Sequence, residues 1–186
     1  MSHIITLGGH LGSGKSTLGK AIAEHFTFER YSTGDFMRDM ALERGISLID
    51  LNLASEKDGG IIDAILDDRQ KQFGLTKDHF IIDGRLAFHF IPHALKIFLT
   101  VDPEEAARRI FEDTSRAGVE SHTNIDEVLE NIKIRRSSEN ERYKKYYNIS
   151  IHNMDLYDIV IDTTGLSPNE VAEKIILEIE KRWNAQ

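Results

Sequence analysis

Gly9-His10-Leu11-Gly12-Ser13-Gly14-Lys15-Ser16 is the stretch best equipped for chemistry in this chain. Glycines at this spacing let successive backbone N–H groups point into one concavity, a nest for an anion. Apolar Ile4-Ile5-Thr6-Leu7 precedes the stretch, and helix-forming Thr17-Leu18-Gly19-Lys20-Ala21-Ile22-Ala23 follows it. A strand, a glycine loop and Gly-Lys-Ser opening a helix together make a phosphate-binding loop. The helix adds the positive end of its dipole. Gly9, His10, Leu11, Gly12, Ser13, Gly14, Lys15, Ser16 and Thr17 are therefore the expected residues for binding a nucleoside triphosphate. Lys15 is placed to meet the β- and γ-phosphates, and the Ser16 hydroxyl to ligate Mg²⁺. An ordinary glycine turn is the plainer alternative, and the flanking elements argue against it.

Cations elsewhere show where the charge of a transferred phosphoryl group would be met. The net charge is −8, so well-placed arginines carry more weight than usual. A long helix is expected from Ile125 to about Tyr147, with Ile125, Val128, Leu129 and Ile132 on its inward side. Continued at helical spacing, that side reaches Arg135, Ser138, Glu139 and Arg142. A stripe that turns from apolar to charged suggests a helix leaving the core for a cleft. An exposed end with an Arg135–Glu139 ion pair is the alternative. Arg85 follows Asp83-Gly84 at the carboxyl end of an expected strand, where open α/β sheets place their ligands. Arg108 and Arg109 lie mid-helix, and for each the cleft and the solvent are both open. Asp83 suits a carboxylate that holds Mg²⁺ through water; Asp35 suits that role less well.

These residues need a scaffold of alternating strands and helices. Strands are expected at Ile4–Gly8, 28–31, 80–85, Leu95–Val101 and Ile159–Asp162. Helices are expected from Ser16 to Phe26 and from a Ser32 or Thr33 cap to Arg44, with Gly45 as the stop. Two more run from Ser47 to about Glu56 and from Ile61 to Phe73, with Gly59-Gly60 between them. Asp102-Pro103-Glu104-Glu105 starts another, which carries Ala106, Ala107, Ile110 and Phe111 inward. Polar residues 114–124 read as a loop. Ser167-Pro168-Asn169-Glu170 opens a last helix with the stripe Val171, Ile175, Ile179 and Trp183. The pattern implies one α/β domain over 1–186, a five-stranded parallel sheet with helices on both faces. Residues 34–75 form a helical flap.

With 186 residues the chain can bury a real core. It has no cysteine, which excludes disulfides and thiol catalysis. Its acidity argues against nucleic-acid and membrane surfaces. No secretory signal or spanning segment is visible, so a cytoplasmic protein is expected. The eight histidines are read as surface or cleft-rim residues. His89 and His93 stand four apart, but Pro92 between them disfavours a shared helical face.

Tyr31-Ser32-Thr33-Gly34-Asp35-Phe36-Met37-Arg38, Asp83-Gly84-Arg85, Lys96-Ile97-Phe98-Leu99 and Arg135-x-x-Ser138-Glu139-x-x-Arg142-Tyr143 resemble a nucleoside monophosphate kinase. The short, archaeal-type cytidylate kinases are the nearest pattern, and Tyr157–Thr164 with its Ser-Pro helix is similar too. The resemblance implies a P-loop NTPase-type fold with an acceptor-binding flap and a short lid at about 112–124. It implies that Arg38 contacts the acceptor's phosphate, that Arg85 contacts the cytosine or its neighbourhood, and that Glu139 holds the ribose. Ser32 and Asp35 join the acceptor set. Arg108, Arg135 and Arg142, with Lys15, close over the phosphates as the catalytic cations.

The implied reaction is ATP-dependent phosphorylation of CMP or dCMP with Mg²⁺, by a monomer acting on small nucleotides. The chain departs from the pattern at Leu86-Ala87-Phe88-His89, where glycine usually follows Leu-Ala. It also lacks the inserted segment of the long bacterial type. Both features bear on the base. Adenylate kinases would show Asp-Gly-Phe-Pro-Arg, and shikimate kinases a Gly-Gly pair where Arg85 stands. A kinase for AMP or UMP, or a non-catalytic nucleotide sensor, is the alternative function.

Overall fold

The structure is a computed structural model that describes residues 3–46, 50, 51, 54, 61–113 and 124–185. Five strands form one parallel sheet in the order β2-β3-β1-β4-β5. They are β1 (Ile4–Gly9), β2 (Glu29–Ser32), β3 (Phe80–Asp83), β4 (Leu95–Thr100) and β5 (Ile159–Asp162). The helices are α1 (Lys15–Phe26), α2 (Thr33–Glu43), α3 (Ile61–Thr76), the short α4 (Ala87–Phe90), α5 (Pro103–Glu112), α6 (Ile125–Tyr147) and α7 (Pro168–Asn184). Among the described residues no helix is long and apolar enough to cross a membrane.

The chain groups into two compact units, Met1–Gly8 with Gly19–Lys96, and Gly9–Leu18 with Ile97–Gln186. In the first unit, β1 pairs with β3 from Ile4↔Phe80 to Leu7↔Asp83, and β2 pairs with β3 from Glu29↔Phe80 to Ser32↔Asp83. Ser32 and Asp83 therefore stand abreast at the carboxyl ends of their strands. This unit's core joins Ile4, Phe80 and Ile82 of the sheet to Phe36 and Met40 of α2 and to Ile62 and Leu66 of α3. Burying each such side chain contributes about 1.5–3 kcal/mol.

In the second unit, β4 pairs with β5 from Ile97↔Ile159 to Thr100↔Asp162. Ala107 and Ile110 of α5 pack on Val128, Leu129 and Ile132 of α6, and Leu11 joins them. The phosphate loop thus has an apolar foot in the cluster where α5 meets α6. Asn124 caps α6 by accepting from the Glu127 N–H at 2.9 Å, and Ser167 and Glu170 complete a capping box at α7.

Several expectations need correction. Phe111 is 44% exposed and Ile125 41% exposed, although the helical pattern puts both inward. They occupy the last turn of α5 and the first turn of α6, where the packed surface has already run out. β2 starts at Glu29 and not at Phe28. α3 continues through Gly74 to Thr76, because Gly74 is a packing residue and not a stop: a Cβ there would lie 2.8 Å from Ile91. At α5, Asp102 accepts from the Glu104 and Glu105 N–H groups, but no reciprocal bond forms. The Asp102 N–H donates to Thr164 Oγ1 at 2.8 Å, and Glu105 turns to arginines instead. The short α4 and a 3₁₀ turn at Met154–Leu156 were not expected. The Gly59-Gly60 break lies outside the described residues, as does nearly all of the expected 112–124 lid. Of the expected Ser47–Glu56 helix, only Asp50, Leu51 and Ala54 are described, and all three are helical.

Candidate active site

The phosphate loop leaves β1 at Gly9 and enters α1 at Lys15. Gly12 adopts a left-handed φ of 72°, and a Cβ there would meet the Ala106 carbonyl oxygen at 2.8 Å. Only glycine satisfies both constraints at once. The His10 N–H donates to Leu99 O at 2.9 Å, which ties the loop to β4. The loop then folds on its own backbone. His10 O accepts from the Ser13 N–H at 3.3 Å and from Ser13 Oγ at 2.8 Å. Lys15 Nζ donates to His10 O at 2.7 Å and to Gly9 O at 3.0 Å. The ammonium is thus held over the loop by carbonyls of the loop itself. Ser13 is buried, whereas Ser16 and Thr17 stand exposed on the first turn of α1, where helix N–H groups lack helical partners.

His10 packs edge-on against Phe98 and against His152, with ring centroids 5.4 Å and 5.6 Å away. Burial lowers its pKa, and the charges of Arg136 and Lys15 lower it further. Arg136 is a residue that sequence reasoning missed. It lies one full turn beyond Ile132 on the same helix, so the helical repeat that selected Arg135 would have selected it as well.

Three of the candidate acceptor residues, Ser32, Asp35 and Arg38, gather at the start of α2. Ser32 caps that helix: its Oγ accepts from the Asp35 N–H at 3.0 Å and donates to Asp35 Oδ2 at 2.6 Å. The other Asp35 oxygen accepts from Arg38. Burial pushes the Asp35 carboxyl up, but the bonds from Ser32 and Arg38 outweigh it and hold the group below its usual range. Arg30, also missed, adds its charge there. Arg38 leaves 60% of its side chain exposed. Asp83 and Arg85 are half-buried at the end of β3, where the Gly84 N–H donates to Leu7 O at 3.3 Å.

The two arginines of α5 have separate partners. Arg109 bridges Glu105 to the turn after β5, donating to Thr163 Oγ1 at 3.1 Å and to Thr163 O at 2.7 Å. Arg108 faces solvent, paired with Glu105 and Glu112 of its own helix at 2.8 and 2.6 Å. Between the two guanidiniums, the Glu105 carboxyl falls to about 2. On α6, Arg135 and Arg142 are exposed and Glu139 is half-buried. The Arg142 guanidinium lies 5.2 Å from the centroid of the buried Tyr143 ring.

A glycine loop that holds its lysine and, separately, a capped Ser-x-x-Asp helix start that holds an arginine each suit the handling of phosphate groups. A sequence model of the cytidylate kinase-like family matches residues 4–165. The cytidylate kinase of Methanococcoides burtonii is 36% identical over 161 residues, 87% of each chain. That of Methanothrix thermoacetophila is 37% identical over 86% of this chain and 88% of its own. Among solved structures, shikimate kinase from Bacteroides thetaiotaomicron superposes with a TM-score of 0.69 at 16% identity, covering 97% of this chain and 99% of that one. This last likeness concerns the fold alone. A match that begins at β1 and runs through the fifth strand takes in the loop, the α2 cluster and α6 together: the chain belongs to the cytidylate kinase-like family.

Proposed function

We propose that this protein transfers the γ-phosphoryl group of ATP to the phosphate of CMP or dCMP. The observation that carries this reading is the match to relatives named cytidylate kinase over 86–87% of the chain. An acceptor phosphate oxygen attacks the γ-phosphorus, the bond to the β-phosphate oxygen breaks, and ADP leaves. No strong general base is required, since a phosphate monoester is already largely ionised above its second pKa of about 6. Positioning and charge stabilisation carry the rate.

On this reading, the N–H groups of Gly9–Thr17 cradle the ATP phosphates. Lys15 leaves the Gly9 and His10 carbonyls to meet the β- and γ-phosphate oxygens. Arg38 and Asp35, set by the Ser32 cap, hold the acceptor's phosphate end. Arg85 sits by the base, and Glu139 takes the ribose. Arg135 and Arg142 add positive charge around the transferred group, and Arg108 joins them by leaving Glu105 and Glu112, whereas Arg109 is committed to the turn after β5. Ser16 and Asp83 offer a hydroxyl and a carboxylate, the hard oxygen donors that Mg²⁺ takes. When bound, the ion neutralises phosphate charge. The protein is proposed to act as a monomer in the cytoplasm.

The test is an acceptor panel of AMP, CMP, dCMP, UMP and GMP with ATP. Turnover of CMP and dCMP above the rest is expected. Turnover confined to AMP or GMP would overturn the base assignment. Tight ATP binding with no turnover of any monophosphate would identify a nucleotide sensor.

A further inference from the structure

A second cluster of ligating side chains lies at the other end of the sheet. His3 immediately precedes β1, and Asp78 and His79 lead into β3. Because Ile4 pairs with Phe80 in parallel register, the residues just before these two strands are neighbours. One ligand atom from each of His3, Asp78 and His79 lies within 4.8 Å of the others.

The backbone holds this group together. Asp78 Oδ1 accepts from the His3 N–H at 2.6 Å and from the His79 N–H at 2.8 Å, so one oxygen anchors the starts of both strands. Asp78 Oδ2 is left 3.6 Å from His79 Nδ1. That gap is too long for a hydrogen bond. It is close to the spacing of about 3.3–3.4 Å between two ligands on a tetrahedral zinc ion with bonds near 2.0–2.1 Å. His79 occupies a left-handed φ of 57° and accepts from the Glu29 N–H through its carbonyl at 3.2 Å. Its ring packs edge-on against Phe28 and lies 5.1 Å from the His3 ring. Both the carboxylate and one imidazole are therefore oriented before any ligand arrives.

Two imidazoles and one carboxylate are the donors that zinc-class ions take, and not those of Mg²⁺ or Ca²⁺. Three protein ligands leave a fourth position for water. We propose that His3, Asp78 and His79 bind a divalent zinc-class ion that ties the amino end of β1 to that of β3. At a strand rise of about 3.3 Å per residue, this lies more than about 10 Å from Asp83 at the far end of β3.

The test uses the untagged full chain, stripped with chelator and free of nucleotide, titrated with Zn²⁺ by calorimetry and with Co²⁺ by visible absorption. One Zn²⁺ per chain, a tetrahedral Co²⁺ spectrum and a Tm that rises with Zn²⁺ are expected. Asp78→Asn keeps an oxygen to accept both backbone N–H groups while removing the charged ligand. His79→Asn tolerates the left-handed backbone, and His3→Gln completes the set. Each variant should melt normally without metal and bind Zn²⁺ at least about tenfold more weakly, while His93→Ala binds like the wild type. Absence of the Co²⁺ spectrum would overturn the proposal. So would equal Zn²⁺ affinity in the wild type and the three ligand variants.

Discussion

The phosphate loop and the start of α2 both handle charge, but they are built from different material. In the loop, the Gly9 and His10 carbonyls hold Lys15, and a glycine that admits no side chain sets the path. At α2, side chains hold side chains: Ser32 positions Asp35, and Asp35 positions Arg38. A backbone-built site changes little when one side chain is replaced, unless that side chain is the working cation. A side-chain-built site is a chain of dependencies, so each member's loss propagates to the next.

Lys15→Ala should give the largest effect, lowering kcat by about 10²–10³-fold, the scale for removing one donor aimed at developing charge. Tm should hold, since the loop's path does not depend on the lysine. A large fall in Tm would break the comparison. Arg38→Ala should raise the KM of the acceptor by about tenfold or more, the scale of a charged hydrogen bond, and leave the KM of ATP unchanged. Asp35→Ala should share much of that loss through Arg38. An acceptor KM unmoved in both variants would remove this cluster from the site.

Gly12→Ala should destabilise the fold by about 1–3 kcal/mol, seen as a lower Tm, because a side chain would meet Ala106 from a left-handed backbone. Subtler is the pH response of His10, whose folded pKa lies below the usual value of about 6.5. Between the two values the unfolded chain carries the proton and the folded chain does not, so stability rises with pH across that window and falls on acidification. His10→Phe should flatten that slope of Tm against pH; an unchanged slope would remove the histidine as its source. Arg108→Ala should leave Tm almost unchanged, because its ion pairs are exposed and lie along one helix. Arg109→Ala, which cuts the bridge to Thr163, should lower it more.

The same contrast explains what was legible beforehand. Glycine spacing encodes backbone geometry, so the loop could be read from residue types alone. Helix caps are equally local, and α6 runs between Ile125 and Tyr147 as expected. The inward placement of Phe111 and Ile125 failed because periodicity gives a helix a face but not the extent of its partner's surface. Arg108 and Arg109 differ by one position, and only the turn at Thr163 separates their roles. Arg136 went unnoticed although the repeat pointed to it. The His3 cluster was out of reach because its members are joined by strand register, not by spacing along one element.

The carbonyl-bound ammonium of Lys15 also bears on selectivity. An anion that offers a single phosphate must draw the lysine from two carbonyls in exchange for one contact. A triphosphate repays that exchange over several oxygens along the loop. On the proposed reading, the parked lysine favours a triphosphate over the small anions of the cell, before any base or sugar has been read.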